Sequence, residues 1–313
     1  MSAVPSVADL LERVPSWVGR AVEWQRLDGG LSHHIFRVDV DGQPYVLRVL
    51  EPAVSAAGLG IPPEQEIVNT VRAAETVGAR VYAVLDDVPA VVLEFLPGRT
   101  LHAADVRQPA VVPAIAEACR RLHAGPAFGN DFDIFAKRDE LLAVCARHDL
   151  PLPEGYLDRS STVDEIRAAL SVAPLPVVPC HNDLLAENFI ATGDGVRIID
   201  YQLSGNNDPA FELGDIAAEA DYDPDQVELL AGAYFGADRT QALVARVRLF
   251  LIASNVTWAL WFTVHHGLLT ATGFDYAAEA ADKWSQARRS LDDPGLGGLL
   301  DTVTGRNTTT PKH

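Results

Sequence analysis

Short apolar runs, rich in β-branched residues and separated by polar turns, fill the first hundred positions of the chain. Residues of this kind favour strands. The runs cover Val22 to Leu27, Ile35 to Val40, Tyr45 to Leu50, Val81 to Leu85 and Ala90 to Phe95. Asp41-Gly42 joins the second run to the third and predicts a tight hairpin, because glycine readily adopts the positive φ that such turns need. The pattern predicts an antiparallel sheet.

A helical period appears between the third and fourth runs. Pro62-Pro63, followed by acidic residues, is a helix start signal, and apolar residues then recur at helical spacing until Gly78. After Pro97-Gly98 the composition shifts to alanine, leucine and charged residues. Helical patterning covers residues 111–124, 135–147 and 163–173. These segments predict one helix within the sheet region and a mainly helical remainder.

A brief return of the strand pattern precedes the last helices. It covers Val177 to Cys180, Asn188 to Ala191 and Arg197 to Asp200, and Gly193-Asp194-Gly195 predicts the turn between the last two. Helices are then predicted to about residue 291. The predicted fold class is therefore α+β. The predicted domains are residues 1–96, with the sheet and one helix, and residues 97–313, which are mainly helical.

The charge balance limits the partners that the protein can have. The 313 residues carry 43 acidic and 25 basic side chains, which gives a formal net charge of −18. Such a field repels nucleic acids and anionic membrane surfaces, whereas it attracts cations. We therefore expect a small cationic substrate, no nucleic-acid partner and no membrane partner. The oligomeric state does not follow from the sequence.

The cysteines and the amino terminus predict a cytoplasmic protein. Cys119, Cys145 and Cys180 are scattered and have no zinc-ligand spacing. The amino terminus lacks the basic region and the unbroken apolar segment of a signal peptide. Leu249 to Val264 is apolar but contains polar residues and is shorter than the ~20 residues of a membrane span, so it predicts a buried helix.

One spacing in the chain is typical of phosphoryl transfer. His181, Asp183 and Asn188 form the pattern H-x-D-x-x-x-x-N. Asp200 follows at the end of the last predicted apolar strand. This reaction needs a carboxylate that orients the attacking hydroxyl and accepts its proton, together with hard oxygen ligands for Mg²⁺. Asp183 fits the catalytic role, and Asn188 and Asp200 fit the metal roles. The predicted hairpin at residues 193–195 brings Asp200 beside Asn188.

Upstream residues fit a site for ATP. Gly29 and Gly30 lie between two predicted strands, where glycine lets backbone N–H groups approach phosphate. Arg48 lies where a kinase has its phosphate-binding cation, and Glu66 opens the following helix and can pair with it. Residues 94–96 lie where a kinase hinge connects the lobes. The candidate nucleotide-binding residues are Gly29, Gly30, Ser32, Arg48, Glu66, Glu94 and Leu96.

The segments HNDLLAENFI and IIDYQLSGNNDPAFELGDIAAE resemble the catalytic and metal-binding segments of a known group. This group is the choline/ethanolamine kinase branch of the aminoglycoside phosphotransferase-like kinases, and the resemblance covers roughly residues 24–290. It implies a two-lobed protein-kinase-like fold, with an antiparallel-sheet N-lobe and a mainly helical C-lobe. It also implies ATP and Mg²⁺ as cofactors and a catalytic loop that His181 supports. Glu212 stands where the family usually has aspartate.

Carboxylates dominate the segment from Asp200 to Asp238, which holds ten acidic residues and no lysine or arginine. Glu212, Asp215 and Glu219 are spaced to share one face of a helix. Like charges so placed repel by about 0.2 to 0.5 kcal/mol per exposed pair. A bound cation would relieve this repulsion, and a solvated acidic surface is the alternative. We predict that all three carboxylates belong to the substrate site.

Aromatic residues follow on the long apolar segment and beyond it. Trp258 and Trp261 are one helical turn apart, and Tyr276 lies further along. Such residues are ordinarily part of a core. Here SNVTWALWFTV and FDYAAEAADKWSQARR resemble the choline kinase segment whose aromatic residues surround the trimethylammonium group. The resemblance implies that these three aromatic residues and Glu219 contact the substrate.

The physical chemistry of the amine leaves two acceptors open. A quaternary ammonium gains about 0.5 to 2 kcal/mol from a desolvated aromatic face and has no N–H to satisfy. A primary ammonium needs acceptors for its three donors, at about 1 to 3 kcal/mol for each donor left unpaired. Choline is therefore expected if the aromatic site is dry. Ethanolamine competes if Glu212 or Asp215 also points inward.

The sequence predicts a kinase that phosphorylates the hydroxyl of a small cationic amino alcohol, with choline favoured over ethanolamine, and two alternatives remain. An antibiotic phosphotransferase, acting on an aminoglycoside or a cationic peptide, would share the catalytic residues but need a wider pocket. A nucleotide-binding pseudokinase would lack turnover. Competent residues at Asp183, Asn188 and Asp200 argue against the pseudokinase.

Overall fold

A five-stranded antiparallel sheet forms the amino-terminal part of the protein, as the computed structural model shows for residues 6–27, 32–85, 87–269 and 274–306. The strands of the described residues are β1 (Val22–Arg26), β2 (His34–Val40), β3 (Gln43–Val49), β4 (Val81–Leu85), β5 (Ala90–Glu94), β6 (Arg99–Thr100), β7 (Val178–Cys180), β8 (Phe189–Thr192), β9 (Gly195–Ile198) and β10 (Gly205–Asn207). The sheet order is β1-β2-β3-β5-β4, and two small sheets follow the orders β10-β7 and β6-β8-β9.

The strands lie close to the positions that the apolar runs predict. Asp41 and Gly42 have φ values of 50° and 81°, and Val40 pairs with Gln43 across the turn. Two consecutive positive φ values are typical of the hairpin turns that match the twist of the strands. The hairpin between β8 and β9 is also present, with Thr192 paired to Gly195.

Helices make up most of the rest of the described chain. They are α1 (Val7–Glu12), α2 (Pro52–Ala56), α3 (Pro63–Ala73), α4 (Ala103–Val106), α5 (Val112–His123), α6 (Ile134–Arg147), α7 (Ser160–Leu170), α8 (Pro209–Glu219), α9 (Pro224–Phe235), α10 (Gln241–Leu268), α11 (Tyr276–Leu291) and α12 (Leu296–Thr304). The helix predicted to reach Gly78 ends at Ala73. The chain then turns back, and the N–H groups of Val77 and Gly78 both donate to the carbonyl of Ala73.

The two largest of the three buried apolar clusters among the described residues confirm the predicted two-lobed fold of the α+β class. One core lies against the large sheet and joins Leu10 and Trp17 to strand residues such as Leu47. The other core fills the helical lobe and also includes Leu59 and Val77 from the first hundred residues. Strand β6 follows β5 directly in the chain and already pairs with β8 of the helical lobe. The domain boundary near residue 96 remains a prediction that agrees with this change of partner.

Helix α10 is the central helix of the C-lobe. It is long and apolar enough to span a bilayer, yet 89% of its most apolar window is buried within the protein. This agrees with the buried helix that the sequence predicts. Helix α8 packs closely against it at Gly214, where a Cβ atom would lie 2.7 Å from the Cβ of Phe250 and 2.8 Å from the backbone nitrogen of Leu251. Because Gly214 lacks a Cβ atom, α8 can lie close to α10, and this close packing fixes where the carboxylates of α8 lie.

Candidate active site

The loop after β7 is anchored by a carboxylate of α8. Glu212 is completely buried, and its two oxygens accept the backbone N–H groups of His181 at 2.7 Å and Asn182 at 2.8 Å. His123 Nε2 lies 3.5 Å from the same carboxylate. Both oxygens of Glu212 therefore point at the protein. The structure contradicts the prediction that Glu212 contacts the substrate, because the side chain is completely buried and both of its oxygens face the loop.

Asn182 gives this loop its sharp bend. Its φ is 67°, in the left-handed region that asparagine tolerates better than most residues. The side-chain Nδ2 donates to the carbonyl groups of Cys180, Leu203 and Gly205 at 3.3, 3.1 and 3.2 Å. Its Oδ1 accepts from Asn207 Nδ2 at 2.9 Å. The side chain of Asn182 thus ties the loop to the segment around β10.

His181 lies beneath the loop and has one tautomer that satisfies both of its ring nitrogens. Nε2 donates to the carbonyl of Ile199 at 2.8 Å, and Nδ1 accepts the N–H of Asp183 at 3.3 Å. The ring also packs against Tyr201, with 5.1 Å between the ring centroids. Burial lowers the pKa of His181, so the neutral ring persists at neutral pH. This geometry fits the supporting role expected for His181.

Asp183 and Asn188 meet across the loop. Asn188 Nδ2 donates to the backbone carbonyl of Asp183 at 2.8 Å. Burial raises the pKa of Asp183 well above its usual range, and the like charges of Asp215, Glu219 and Asp200 raise it further. A raised pKa suits a carboxylate that has to take up a proton.

Arg48 contacts two carboxylates, Glu66 of the N-lobe and Asp200 of the C-lobe. Its Nη2 lies 3.0 Å from Glu66 Oε1 and also contacts Asp200 Oδ1. The second oxygen of Glu66 lies 3.2 Å from His33 Nε2, and His33 Nδ1 accepts the N–H of Glu51 at 3.0 Å. His33 therefore donates to Glu66 through Nε2. The predicted pairing of Arg48 with Glu66 is present in the structure.

The residues predicted to hold Mg²⁺ lie side by side and offer suitable atoms. The N–H of Ile199 donates to the carbonyl of Asn188 at 3.0 Å, which puts Asp200 next to Asn188. Because Asn188 donates through Nδ2, its Oδ1 is the amide atom left for a cation. Asp200 has a φ of 70°, and its side chain is 27% exposed. Arg48 contacts its Oδ1, which leaves Oδ2. This oxygen donor set fits a magnesium ion.

The carboxylate of Asp215 is buried, and both of its oxygens accept hydrogen bonds from the protein. Oδ2 accepts the N–H of Leu184 at 2.8 Å, and Oδ1 accepts Ser254 Oγ at 2.8 Å and Trp258 Nε1 at 2.7 Å. Burial and the like charge of Glu219 raise the pKa of Asp215 to about 7, although these donors oppose the rise. With both oxygens engaged by the protein, Asp215 does not make the direct substrate contact that was predicted. It places Trp258 next to the catalytic loop.

Glu219, the last residue of α8, is paired with a lysine. Lys283 Nζ lies 2.9 Å from Glu219 Oε1 and 3.3 Å from the carbonyl of Ala218. Only 9% of the side chain of Glu219 is exposed, and 3% of that of Lys283. The sequence predicts Glu219 as a substrate contact but gives no indication of this internal cation.

The three predicted aromatic residues lie in one region, but their ring faces are not all open to a ligand. Trp258 and Trp261 are 3% and 7% exposed, and Trp261 Nε1 donates to the carbonyl of Leu59 at 2.9 Å. Tyr276 stacks on His265 with 3.8 Å between ring centroids and 6° between planes. His265 also contacts Trp261, at 5.1 Å. His265 thus covers one face of Tyr276, and the contact of these three aromatic residues with the substrate remains a prediction.

The predicted nucleotide residues are only partly within the described structure. Gly29 and Gly30 lie outside the described residues, and Ser32 is half-buried just after them. Glu94 ends β5, and its Oε2 accepts the N–H of Arg80 at 3.2 Å. Leu96 packs against a small apolar cluster beneath the sheet. These residues lie at the passage from the sheet to the helical lobe, where the sequence predicts the hinge.

Comparison with known proteins identifies the family. The model of the phosphotransferase enzyme family matches residues 23–250. A crystal structure of a choline/ethanolamine kinase family protein from Mesorhizobium loti superimposes with a TM-score of 0.82 and 30% identity, covering 94% of this chain and 97% of that one. The chain belongs to the phosphotransferase enzyme family. The predicted family is thereby confirmed, and it supports the predicted enzyme class, a phosphotransferase with an alcohol group as acceptor.

Curated relatives of the chain carry related names. Ethanolamine kinase 1 of Mus musculus is 28% identical over 234 residues, which are 62% of this chain and 63% of the mouse protein. Protein LicA of Haemophilus influenzae is 26% identical over 257 residues, which are 76% of this chain and 73% of LicA. The chain thus spans just under two thirds of the length of the mouse relative. Kinase family membership supports the predicted use of a nucleotide.

Several residues that shape the site are not indicated by the sequence patterns above. Asn182 lies inside the H-x-D pattern, and an asparagine at the bend of a loop is a signal for a left-handed residue. His33 and His123 belong to no such pattern, yet both contact buried carboxylates. Lys283 lies on α11, far from the acidic segment, and no local pattern connects it with Glu219.

Proposed function

We propose that the protein transfers the γ-phosphoryl group of Mg-ATP to the hydroxyl of a small cationic amino alcohol, choline or ethanolamine. The observation that carries this proposal is the meeting of Asp183, Asn188 and Asp200 at one loop, with the carboxylates of α8 directly behind it. The names of the relatives, choline and ethanolamine kinases, support the same acceptor class.

Asp183 is the proposed catalytic residue. The acceptor oxygen bonds to the γ-phosphorus, the bond from that phosphorus to the β–γ bridging oxygen breaks, and ADP leaves. The proton of the hydroxyl passes to Asp183, whose pKa is raised mainly by burial. Asn188 keeps the loop in place through the Asp183 carbonyl.

The nucleotide is proposed to lie between the lobes, next to Ser32, with its base towards Glu94 and Leu96, and the predicted contacts with Gly29 and Gly30 fall outside the described residues. Arg48 is fixed by Glu66 and provides the cation for the phosphates. Asn188 and Asp200 would hold Mg²⁺, which when bound would neutralise phosphate charge.

A cationic acceptor is supported by the charge around Asp183. Asp200, Asp215 and Glu219 all raise the pKa of Asp183, so the site has an excess of negative charge that Lys283 offsets only in part. We propose Glu219 and the region of Trp258, Trp261 and Tyr276 as the substrate side. A cytoplasmic location and independence from nucleic acids and membranes remain part of the proposal.

A substrate panel tests this function. We would incubate the protein with Mg-ATP and, separately, choline, ethanolamine and an aminoglycoside, and measure ADP by a coupled assay. Turnover with choline or ethanolamine is expected, and Asp183→Asn should abolish it while keeping the thermal unfolding temperature near that of the wild type. Turnover with the aminoglycoside alone would point to an antibiotic phosphotransferase. Nucleotide binding without any turnover would point to a pseudokinase.

A further inference from the structure

Lys283 places a buried positive charge at the end of α8. Lysine is rarely buried unless it is paired, because the ammonium group loses its hydration. Lys283 is 2% exposed, and its partners are Glu219 Oε1 at 2.9 Å and the carbonyl of Ala218 at 3.3 Å. The two partners are adjacent residues of α8, whereas Lys283 comes from α11. The position of this charge is therefore set by the packing of the two helices.

Lys283 lies among carboxylates of two helices. Its Nζ is 2.9 Å from Glu219 Oε1 of α8, and Glu279 lies one turn before it on α11. Burial raises the pKa of Glu279, and Lys283 opposes this shift. Lys283 therefore offsets negative charge at the carboxyl-terminal end of α8.

Glu219 keeps one oxygen for another partner. Among the described residues, Lys283 contacts Oε1 of Glu219, and no side chain is paired with Oε2. A quaternary ammonium, which attracts only through its diffuse charge, loses attraction when Lys283 neutralises the carboxylate. A primary or secondary ammonium can still donate a charge-assisted hydrogen bond to Oε2.

The aromatic residues favour the same kind of amine. A quaternary ammonium binds best against open ring faces. One face of Tyr276 is covered by the imidazole of His265, with ring centroids 3.8 Å apart and planes 6° apart. The same imidazole lies 5.1 Å from Trp261. The aromatic surface available to a methylated cation is thereby reduced, independently of Glu219.

We propose that Lys283 is a positioning residue that sets the specificity of the acceptor site. It holds Glu219 by one oxygen and leaves the other as a hydrogen-bond acceptor, so that alcohols carrying a primary or secondary ammonium bind better than alcohols carrying a quaternary one. This inference rests on the proposed phosphorylation of an amino alcohol. Lys283 acts through Glu219 and does not touch the reacting atoms.

A methylation series tests the inference on the wild-type protein. We would measure kcat and KM for ethanolamine and for its N-methyl, N,N-dimethyl and N,N,N-trimethyl forms at saturating Mg-ATP. KM is expected to be at least about tenfold higher for the trimethyl form, which has lost the charge-assisted hydrogen bond. Equal KM values, or a lower KM for the trimethyl form, would overturn the inference.

Lys283→Met isolates the role of the charge, because methionine keeps most of the length of the side chain. In this variant Lys283 no longer offsets the charge of Glu219, so KM for choline should fall by about tenfold relative to that for ethanolamine. Arg289→Met, which removes an exposed cation from the same helix, is the matched control and should leave the KM ratio unchanged. An unchanged ratio in Lys283→Met would overturn the inference.

Folding and function can be separated in this experiment. If thermal unfolding shows that Lys283→Met is not folded, the wild-type series decides together with Lys283→Arg, which keeps the charge and should keep the KM ratio. A changed ratio in Lys283→Arg would count against the proposal. Turnover of amines without the expected preference overturns this inference alone, whereas a folded wild type that phosphorylates no amine overturns the proposed function and this inference together.

Discussion

Arg48 and Asp200 form an ion pair that joins strand β3 of the N-lobe to the end of the β8–β9 hairpin in the C-lobe. The same guanidinium lies 3.0 Å from Glu66, which is buried and contacts His33. Burial alone would raise the pKa of Asp200, but Arg48 outweighs burial and lowers that pKa to about 2. Asp200 is therefore charged at neutral pH, as a metal ligand has to be.

Arg48→Met should damage both the fold and the reaction. The substitution leaves the buried carboxylate of Glu66 with His33 as its remaining partner, so the free energy of unfolding should fall by about 3 to 5 kcal/mol. Denaturation in urea measures this loss, and the coupled ADP assay should show turnover reduced by at least about 100-fold. Arg48→Lys keeps a charge but lacks the planar fork, and it should recover most of the stability but only part of the turnover. Wild-type stability in Arg48→Met would contradict the role of the pair.

Glu212→Gln tests whether this residue anchors the loop. A glutamine side chain has one oxygen and one NH₂ group, so one of the two backbone N–H groups of His181 and Asn182 would face a donor. The expected cost is about 1 to 3 kcal/mol of unfolding free energy. In steady-state kinetics kcat should fall, while KM for the amine stays near the wild-type value.

Glu219→Gln provides the contrast, because it should raise KM for the amine more than it lowers kcat. If Glu212→Gln instead raised KM and left kcat unchanged, Glu212 would be a substrate contact as the sequence predicts.

Asn188→Leu should weaken the metal site. Leucine offers no oxygen to a cation and cannot donate to the carbonyl of Asp183. We expect a lower maximal rate and a higher Mg²⁺ concentration for half-maximal activity, both read from a titration at fixed ATP. Asn188→Asp restores an oxygen ligand and should bring the half-maximal Mg²⁺ concentration back towards the wild-type value. An identical Mg²⁺ dependence in all three proteins would remove Asn188 from the metal site.

Asp215 predicts a pH dependence of stability. Its pKa is raised to about 7 by burial and by Glu219, from a usual value of 3.8. Between these two values the folded state holds a proton that the unfolded state has lost, so stability falls as pH rises, by at most about 1.4 kcal/mol per pH unit. Above pH 7 the contribution stays constant.

Asp215→Asn lacks this slope. The difference in unfolding free energy between wild type and variant should therefore decline from about pH 4 to pH 7 and then level off. Urea denaturation at a series of pH values measures it, with Asp238→Asn, at an exposed position, as the control. Parallel curves for wild type and Asp215→Asn would show that Asp215 ionises normally.

Much of the fold could be predicted because its signals are local. The apolar runs and Asp41-Gly42 contain their own strand and turn preferences, and the five strands lie where these preferences place them. The helix expected to reach Gly78 ends at Ala73. The N–H groups of Val77 and Gly78 both donate to the carbonyl of Ala73 and form a turn there. Strand β10, with the sequence Gly-Asn-Asn, has no strand pattern, and its pairing with β7 and with Asp131 comes from distant parts of the chain.

The catalytic pattern was equally accessible, because the spacing from His181 to Asn188 lies within one loop and the hairpin after it is short. The contacts on the substrate side could not be predicted from the sequence. Glu212, Asp215 and Glu219 share one helix, and by sequence alone they are three similar carboxylates.

The chain by itself determined the strands, the hairpins and the order of His181, Asp183, Asn188 and Asp200, because each depends on residues that are near one another in sequence. Only the tertiary structure decided what the carboxylates of α8 do. It turns one to the backbone of the catalytic loop, one to Trp258 of α10 and one to Lys283 of α11. The partner of a buried charge is whatever the packing of distant elements brings within hydrogen-bond distance, and no local pattern contains that information.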